Sequence, residues 1–385
     1  MVSAAEISRT GVAKARRYWP WWAAIALIAS PAGAFGGIHD LQNERLQGAL
    51  EEYRQIADAG GWPAVPAGPT IEHGSDDPRV VALATRLAAS GDLTEDPSGF
   101  ITYDEVLQTA VLRFQSRHGL EQDALVGRKT LAALNVPVEH RIRQIRVNME
   151  RFRTLAAAEP RDFLLINVPA FEAYLVRDGE MVSTSGIIVG ETEQQTPSFE
   201  ASMKYVVINP TWTVPFSIAS EELLPRIQGD IGFLQRDGYS VFDPDGNPVD
   251  PASVDWQSLH QGRFPFTLVQ QPGPVNELGR IKFMFPNQYG VCMHDTPGKH
   301  LFAYDSRAFS HGCIRIAEPV GFATVLLESE GWTPERIDEQ LRTGETHTIL
   351  LGEPLPVIVT YLTVFVDERG TTHFYRDIYD RDRIG

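Results

Sequence analysis

Apolar side chains recur every three or four residues through the first part of the chain, which predicts helices there. Residues 37–75 predict a scaffold helix over 41–56 and then a linker rich in Pro, Gly and Ala. Residues 76–137 predict three short helices, bounded by capping aspartates and terminal glycines. Such a bundle has too small a core to be an enzyme by itself. Residues 138–158 predict an amphipathic connecting helix, whose arginines we interpret as a solvated face.

From residue 163 onward the spacing of apolar residues changes to that of strands. Apolar runs at 163–168, 187–189 and 205–208 predict buried strands. A hairpin is expected around Arg177-Asp178-Gly179-Glu180, a sequence typical of a tight turn. Many strands with few helices predict a β-rich sandwich or barrel-like domain over residues 160–352, so the predicted fold class is α+β.

Three further features belong to this second part of the chain. Late strands are expected at 280–285 and 290–294. Residues 216–271 show no clear period, and we interpret them as a cap over the site, because long aperiodic segments inside a domain are usually functional. Residues 353–385 are interpreted as an extension containing a hairpin of 357–366 with 371–375.

The N-terminus has the layout of an export signal. The basic segment Lys14-Ala15-Arg16-Arg17 precedes a short apolar stretch and the small residues Ala32-Gly33-Ala34. Residues 1–36 are therefore interpreted as a signal peptide or a membrane anchor. The apolar stretch is shorter than the ~20 residues of a membrane-spanning helix, which favours cleavage over anchoring.

The overall charge argues against one class of partner. The net charge is −16 and the isoelectric point is near 5.1. Sequence-independent binding of nucleic acid needs a Lys- and Arg-rich surface that displaces phosphate counterions. We therefore expect no nucleic-acid partner.

One of the two cysteines lies in the run Ser310-His311-Gly312-Cys313, which His294 precedes. A cysteine nucleophile needs thiolate character, a base and donors for the oxyanion. We predict Cys313 as the nucleophile and His294 as its base, brought within hydrogen-bond reach by strand pairing. The amides of Gly312 and Cys313 are predicted oxyanion donors, and Arg315 is predicted to hold a carboxylate.

Two other interpretations of these residues stay open. In an exported protein, Cys292 and Cys313 form a structural disulfide under the simplest interpretation. A zinc site would draw on both cysteines and on His294, His300 and His311. The chain has no C-x2-C or H-x3-H spacing, so we expect no metal, and we also expect no cofactor.

Residues 76–136 carry the motifs Leu112-Arg113-Phe114-Gln115, His118-Gly119-Leu120, Val126-Gly127 and Thr130-Leu131-Ala132-Ala133-Leu134-Asn135. These motifs resemble the three-helix peptidoglycan-binding domain. That family commonly has a glycine where this chain has Ala124, so a tighter or differently turned loop is expected there. A bundle that acts only as a spacer remains an alternative.

The combination of His294 with Ser310-His311-Gly312-Cys313 and Arg315 resembles the signature of the L,D-transpeptidase catalytic domain of the YkuD type. The resemblance covers residues 160–352. Flanking motifs are similar to the large Gram-negative branch of that family, among them Asn209-Pro210-Thr211-Trp212-Thr213-Val214-Pro215, Lys282-Phe283 and Phe285-Pro286-Asn287.

The resemblance implies a reaction in two steps. Cys313 attacks the bond between diaminopimelate and D-alanine of a peptidoglycan stem, which releases D-alanine and leaves a thioester. The amine of a second stem then attacks, which produces a 3→3 crosslink. The implied partners are peptidoglycan stem peptides and the implied location is the periplasm, with the inner membrane involved only if the N-terminal segment is retained.

The resemblance also implies roles around the nucleophile. His294 is the implied base, oriented by the backbone carbonyl of Asp295, while His311 and Ser310 shape the pocket and Trp212 is a candidate substrate wall. The plainer alternatives are that His311 is a packed turn residue and that Trp212 is a core residue.

Cys292 is the main departure from the family pattern. The Gram-negative branch usually carries tyrosine two residues before the base histidine. Because side chains alternate along a strand, Cys292 is expected on the same face as His294, where it would contact substrate. We hypothesise that Cys292 loosens substrate contact and makes the activity sensitive to oxidation by pairing with Cys313.

Two rival functions remain open. An L,D-carboxypeptidase or other hydrolase on the same fold would resolve the thioester with water, and the sequence does not separate water from an acceptor amine. A non-catalytic wall-binding scaffold protein would not depend on Cys313 at all.

Overall fold

Helices make up the N-terminal part of the computed structural model, which describes residues 38–155, 160–367 and 369–383. They are α1 (Ile38–Asp58), α2 (Val80–Ala89), α3 (Glu105–Arg117), α4 (Arg128–Leu134) and α5 (Val138–Thr154). The predicted helices are thus confirmed. The predicted export segment, residues 1–36, lies outside the described residues. None of the described helices combines the length and the apolar character that a membrane-spanning segment needs.

Helices α2, α3 and α4 enclose a small apolar core of their own, to which Leu83, Leu107 and Phe114 contribute fully buried side chains. Asp104 caps α3, because its carboxylate accepts hydrogen bonds from the first N–H groups of the helix. Ala124 adopts a left-handed φ of +60°, a conformation that favours glycine. The loop at this position is therefore strained by its alanine.

The strands begin at residue 163. In chain order they are β1 (Phe163–Asn167), β2 (Glu172–Arg177), β3 (Glu180–Gly190), β4 (Phe199–Ile208), β5 (Trp212–Thr213), β6 (Tyr239–Phe242), β7 (Pro248–Val249), β8 (Thr267–Gln270), β9 (Ile281–Met284), β10 (Met293–His294), β11 (Ala308–Ser310), β12 (Ile314–Ile316), β13 (His347–Thr360), β14 (Val364–Val366) and β15 (Thr372–Phe374). The remaining helices are α6 (Phe216–Ile218), α7 (Leu224–Gly229), α8 (Gly232–Arg236), α9 (Pro319–Leu326) and α10 (Pro334–Thr343).

Nine strands form one sheet in the order β11-β3-β12-β10-β9-β4-β13-β1-β2. Strand β2 also pairs with β3, so the sheet closes on itself like a barrel. The predicted α+β class is confirmed, in its barrel-like form. The enclosed core is apolar, and α9 packs on it with the ring of Phe322 edge-on to that of Phe283, 5.3 Å between centroids.

The predicted cap is more regular than its sequence suggests. Strands β5, β8, β6 and β7 form a separate four-stranded sheet, and a π-helical turn, Ala219–Leu223, joins α6 to α7. Leu223, Phe233, Trp256 and Leu268 are buried in a core that belongs to this subdomain alone. The helices and strands here are only two to six residues long, which is too short to leave a readable period in the sequence.

The C-terminal hairpin is shorter than predicted. It consists of β14 and β15, whereas residues 357–360 are the end of β13, which pairs with β1 and β4 in the barrel. The predicted boundary between residues 352 and 353 therefore falls inside β13. The strand β10 is also shorter than its predicted range of 290–294.

The hairpin and the C-terminal tail cover α5, which changes the interpretation of its arginines. Arg141 is buried, with its guanidinium 4.6 Å from the ring centroid of Phe374. Arg151 forms an ion pair with Asp382 at 2.6 Å. The other arginines of α5 are exposed. The predicted solvated face is wrong for Arg141 and Arg151, because segments distant in sequence pack on that side of the helix.

Candidate active site

Three neighbouring strands place cationic and imidazole side chains in one row. His294 of β10 pairs with Lys282 of β9 on one side and with Arg315 of β12 on the other. The residues adjacent in sequence, such as Phe283 and Ile314, are fully buried in the barrel core. Because side chains alternate along a strand, burial of these apolar neighbours directs the polar row to the opposite face.

His294 is buried and oriented by its neighbour. Its Nδ1 lies 2.5 Å from the backbone oxygen of Asp295. A carbonyl oxygen only accepts, so Nδ1 carries the proton and Nε2 keeps a lone pair. Burial, assisted by the charges of Arg315 and Lys282 and opposed by the hydrogen bond to Asp295, lowers the pKa of His294 to about 4. His294 is thus a neutral base near pH 7.

The side chain of Asp295 is anchored as well. Its Oδ2 accepts a hydrogen bond from the N–H of Arg280 at 2.8 Å, and its Oδ1 forms an ion pair with Lys299 at 2.6 Å. Gly279 allows this close approach, because a Cβ at that position would lie 2.4 Å from the carboxylate. These contacts hold the residue that orients His294.

Cys313 lies next to the other cysteine. Its Sγ is 3.6 Å from that of Cys292, and both residues are free thiols. The hydrogen bond from Cys292 lowers the pKa of Cys313, burial opposes this, and the charges of Lys282 and Arg315 favour the thiolate. The same hydrogen bond, followed by burial, raises the pKa of Cys292. Contrary to expectation, no hydrogen bond joins His294 to Cys313 within the described residues.

Hydrogen bonds inside the Ser310–Cys313 loop determine which amide is available. Ser310 donates from its hydroxyl to the backbone oxygen of Cys313 at 2.5 Å, and the N–H of Gly312 donates to that hydroxyl at 3.2 Å. The N–H of Cys313 has no hydrogen-bond partner in the part of the chain that is described. Of the two amides predicted as oxyanion donors, that of Gly312 is occupied and that of Cys313 is open.

Two other predicted site residues lie near the cap. His311 extends towards the cap, where its Nε2 lies 2.8 Å from Oε1 of Glu222 in the π-helical turn. Trp212 of β5 is half-buried and packs against the cap core. Of these two residues, only His311 belongs to the Ser310–Cys313 loop, which we call the catalytic loop.

Sequence reasoning missed two residues of this site. Lys282 was noted only as part of a flanking motif, and its position beside His294 depends on strand register. Glu222 contacts His311 across 89 positions of sequence, and no motif marks it. The described residues contain no group of three or more His, Cys, Asp or Glu side chains that could hold a metal ion.

Comparisons with known proteins agree on the family. Residues 161–333 match the family model of the L,D-transpeptidase catalytic domain, YkuD, and residues 76–134 match the "Putative peptidoglycan binding domain". The "Putative L,D-transpeptidase" of Haemophilus influenzae is 33% identical over 240 residues, which are 62% of this chain and 48% of that protein. The chain thus spans about half the length of this relative.

Solved structures of L,D-transpeptidases show only a distant likeness. The enzyme from Stackebrandtia nassauensis has a TM-score of 0.28 and 14% identity, over 76% of this chain and 97% of that one. The enzyme from Xylanimonas cellulosilytica has a TM-score of 0.21 and 16% identity, over 77% of this chain and 99% of that one. The family assignment therefore rests on the sequence matches.

The class of the barrel domain follows from its match to the family model of the L,D-transpeptidase catalytic domain. Residues 161–333 thus form an L,D-transpeptidase catalytic domain of the YkuD type, and residues 76–134 form a peptidoglycan-binding domain. Both predicted resemblances are confirmed.

Proposed function

We propose that the protein is a peptidoglycan L,D-transpeptidase that forms 3→3 crosslinks through a thioester on Cys313. The observation that carries this proposal is the position of Cys313 beside the strand of His294, with a thiol and with an N–H that has no partner among the described residues. A thiolate and an adjacent free amide are what attack on a carbonyl and stabilisation of its oxyanion require.

The proposed reaction begins when the sulfur of Cys313 attacks the carbonyl carbon of diaminopimelate. The oxyanion receives the hydrogen bond of the Cys313 N–H, the C–N bond to D-alanine breaks, and a thioester remains. The amine of a second stem then attacks the thioester, the C–S bond breaks, and the thiolate is regenerated. In the first step His294, neutral with Nε2 free, accepts the proton of the Cys313 thiol and gives it to the leaving nitrogen. In the second step it accepts a proton from the attacking amine, and this proton returns to the Cys313 sulfur.

The remaining residues bind and shape the substrate in this proposal. Arg315 is half-buried beside Cys313 without an ion-pair partner in the described residues, which suits it to a stem carboxylate. His311 and Glu222 join the catalytic loop to the cap, which would close over the stem. We place the enzyme in the periplasm, where the export signal of residues 1–36 would deliver it and where its substrate is found.

The test uses the purified chain with a disaccharide tetrapeptide, followed by mass analysis. A crosslinked dimer that lacks one D-alanine, together with a thioester adduct on Cys313, is expected. A tripeptide as the only product would support hydrolysis and contradict transfer. Cys313→Ala should form neither product nor adduct while its melting temperature stays unchanged. A Cys313→Ala variant with full activity would contradict the proposed mechanism.

A further inference from the structure

The segment that follows β3 lies directly against the catalytic loop. A Cβ on Gly190 would lie 2.0 Å from the backbone oxygen of Gln194, so the segment folds back tightly on its own glycine. A Cβ on Gly312 would lie 3.6 Å from the same oxygen. A side chain at Gly312 would therefore be in van der Waals contact with the segment from Gly190 to Thr196, so the two segments lie close together.

Thr196 joins these two segments by hydrogen bonds. Its side chain is fully buried, and its hydroxyl donates to the backbone oxygen of Gly312 at 2.9 Å. The same hydroxyl accepts a hydrogen bond from the N–H of Gly190 at 2.9 Å. The hydroxyl has one proton, which it donates to Gly312. The accepted bond from Gly190 and the donated bond to Gly312 therefore together determine the orientation of the hydroxyl.

The bond to Gly312 has a consequence for the next amide. In a planar trans peptide the C=O of one residue and the N–H of the next point in opposite directions. Holding the oxygen of Gly312 therefore fixes the direction of the Cys313 N–H. No group in the described residues accepts a hydrogen bond from this N–H. The φ of +104° at Gly312 shows that this peptide is turned into an orientation that favours glycine.

We propose that Thr196 is a positioning residue for acyl transfer, which orients the Gly312–Cys313 peptide so that the Cys313 N–H meets the oxyanion. This inference rests on the proposed function of Cys313 as nucleophile. Thr196 does not touch the reacting atoms, and it acts through the peptide whose oxygen it holds. It lies 116 positions before Gly312, outside the signature motif.

The C-terminal tail supports Thr196 from behind. The hydroxyl of Tyr379 donates to the backbone oxygen of Gly190 at 2.5 Å and accepts from the N–H of Thr196 at 3.2 Å. Arg381 donates to Oε1 of Gln195 at 2.6 Å. The tail is thus a second support for the catalytic loop, and Tyr379→Phe should weaken the same step less than the loss of the Thr196 hydroxyl does.

The experiment compares two reactions of the same thiol. Acylation by a stem tetrapeptide develops an oxyanion, whereas alkylation by iodoacetamide does not. Thr196→Val removes the hydroxyl at nearly constant volume, and we expect kcat for acylation to fall ~10- to 100-fold, with KM and the alkylation rate within ~3-fold of the parent. Thr196→Ser keeps the hydroxyl and should restore acylation to within ~3-fold of the parent.

Thr324→Val is the matched control. Its hydroxyl also donates to a backbone carbonyl, that of Val320 at 2.9 Å, but within α9 and away from the catalytic loop. The control should leave both rates unchanged. Equal falls in acylation and alkylation for Thr196→Val, or undiminished acylation, would overturn the inference. Failure of the proposed function looks different, because the parent protein itself would then form no adduct on Cys313.

Discussion

Arg117 in the helical module (α2 to α4) and Lys282 and Arg315 in the barrel are all withdrawn from water, but among the described residues only Arg117 has a carboxylate partner. In the module, buried Arg117 donates to both carboxylate oxygens of Asp92, at 2.6 and 2.5 Å. In the barrel, half-buried Lys282 and Arg315 have no carboxylate within ion-pair distance among the described residues. A paired buried cation holds a structure together, whereas an unpaired one remains available to a thiolate or to a substrate carboxylate.

Oxidation should have the largest effect. Oxidised glutathione is expected to convert the Cys292 and Cys313 thiols to a disulfide, with two molecules of reduced glutathione as the other product. Activity should fall more than ~100-fold, because the thiolate that the unpaired cations favour is the nucleophile. Thiol titration should show the loss of both thiols, and dithiothreitol should restore both activity and thiols.

Cys292→Ser is the control for this oxidation, with treated and untreated samples of each variant compared. Cys292→Ser has no second thiol, so its oxidised Cys313 should carry one glutathione, whereas the oxidised parent should carry none, and mass analysis separates the two outcomes. Glutathione bound to Cys313 of the oxidised parent would exclude the pairing.

Loss of the paired cation Arg117 should have the second largest effect. Arg117→Met leaves Asp92 buried without its partner, so we expect the free energy of unfolding to fall by about 3–5 kcal/mol. Urea denaturation followed by circular dichroism measures this. The double variant D92N/R117M removes both charges and should recover part of the loss. An Arg117→Met variant as stable as the parent would contradict the structural role of the pair.

Loss of the unpaired Arg315 should affect activity and leave stability nearly unchanged. A hydrogen-bonded charge contributes about 1.5–3 kcal/mol, so Arg315→Gln should lower kcat/KM for a tetrapeptide ~10- to 100-fold. A tetrapeptide amidated at its terminal carboxylate should respond far less to the substitution. Equal losses on both substrates would show that Arg315 does not bind that carboxylate.

Lys282→Met should produce a smaller effect, visible in the pH dependence of the alkylation of Cys313. The positive charge of Lys282 lowers the pKa of Cys313, so its removal raises that pKa and leaves less thiolate on the acid side. Alkylation by iodoacetamide at pH 6 should slow ~3-fold, and its inflection should move to higher pH. Lys204→Met, which removes an exposed charge from β4, should leave the profile unchanged. An unshifted pH profile for Lys282→Met would show that Lys282 does not affect the pKa of Cys313.

The smallest effect concerns backbone strain in the helical module, where no charge is involved. Ala124 has a left-handed φ of +60°, so Ala124→Gly should stabilise the module by ~0.5–1 kcal/mol after the entropic cost of glycine is included. Thermal unfolding measures the gain, and activity should not change. A lower melting temperature for Ala124→Gly would contradict the strain.

Features that depend on residues close in sequence could be predicted, whereas features that depend on packing between distant residues could not. The helix α4 depends on neighbours within one or two turns, and a third short helix was predicted in this part of the chain. The hairpin turn at Asp178 and Gly179 was predicted because both residues adopt positive φ readily. The cap was missed as an ordered subdomain, since its elements are stabilised by packing on one another.

The candidate site divides in the same way. Cys313 and His294 were identified from residue type and motif, and the contact of His294 with the carbonyl of Asp295 was also expected. The contact between the imidazole and the sulfur was not found, and the Cys313 sulfur lies against Cys292 instead. A motif states which residues are near one another but not which atoms face each other, because side-chain direction depends on register and burial.

The sequence by itself determined the chemical groups of this protein: a thiol, an imidazole, the run that carries them and the helices that precede the barrel. Only the tertiary structure decided that Lys282 and Arg315 flank His294, with no counter-charge in the described part of the chain, and that Thr196 holds the oxygen of Gly312. The physical reason is strand pairing. It brings together residues separated by tens to more than a hundred positions, and a shift of one residue would turn each side chain to the other face.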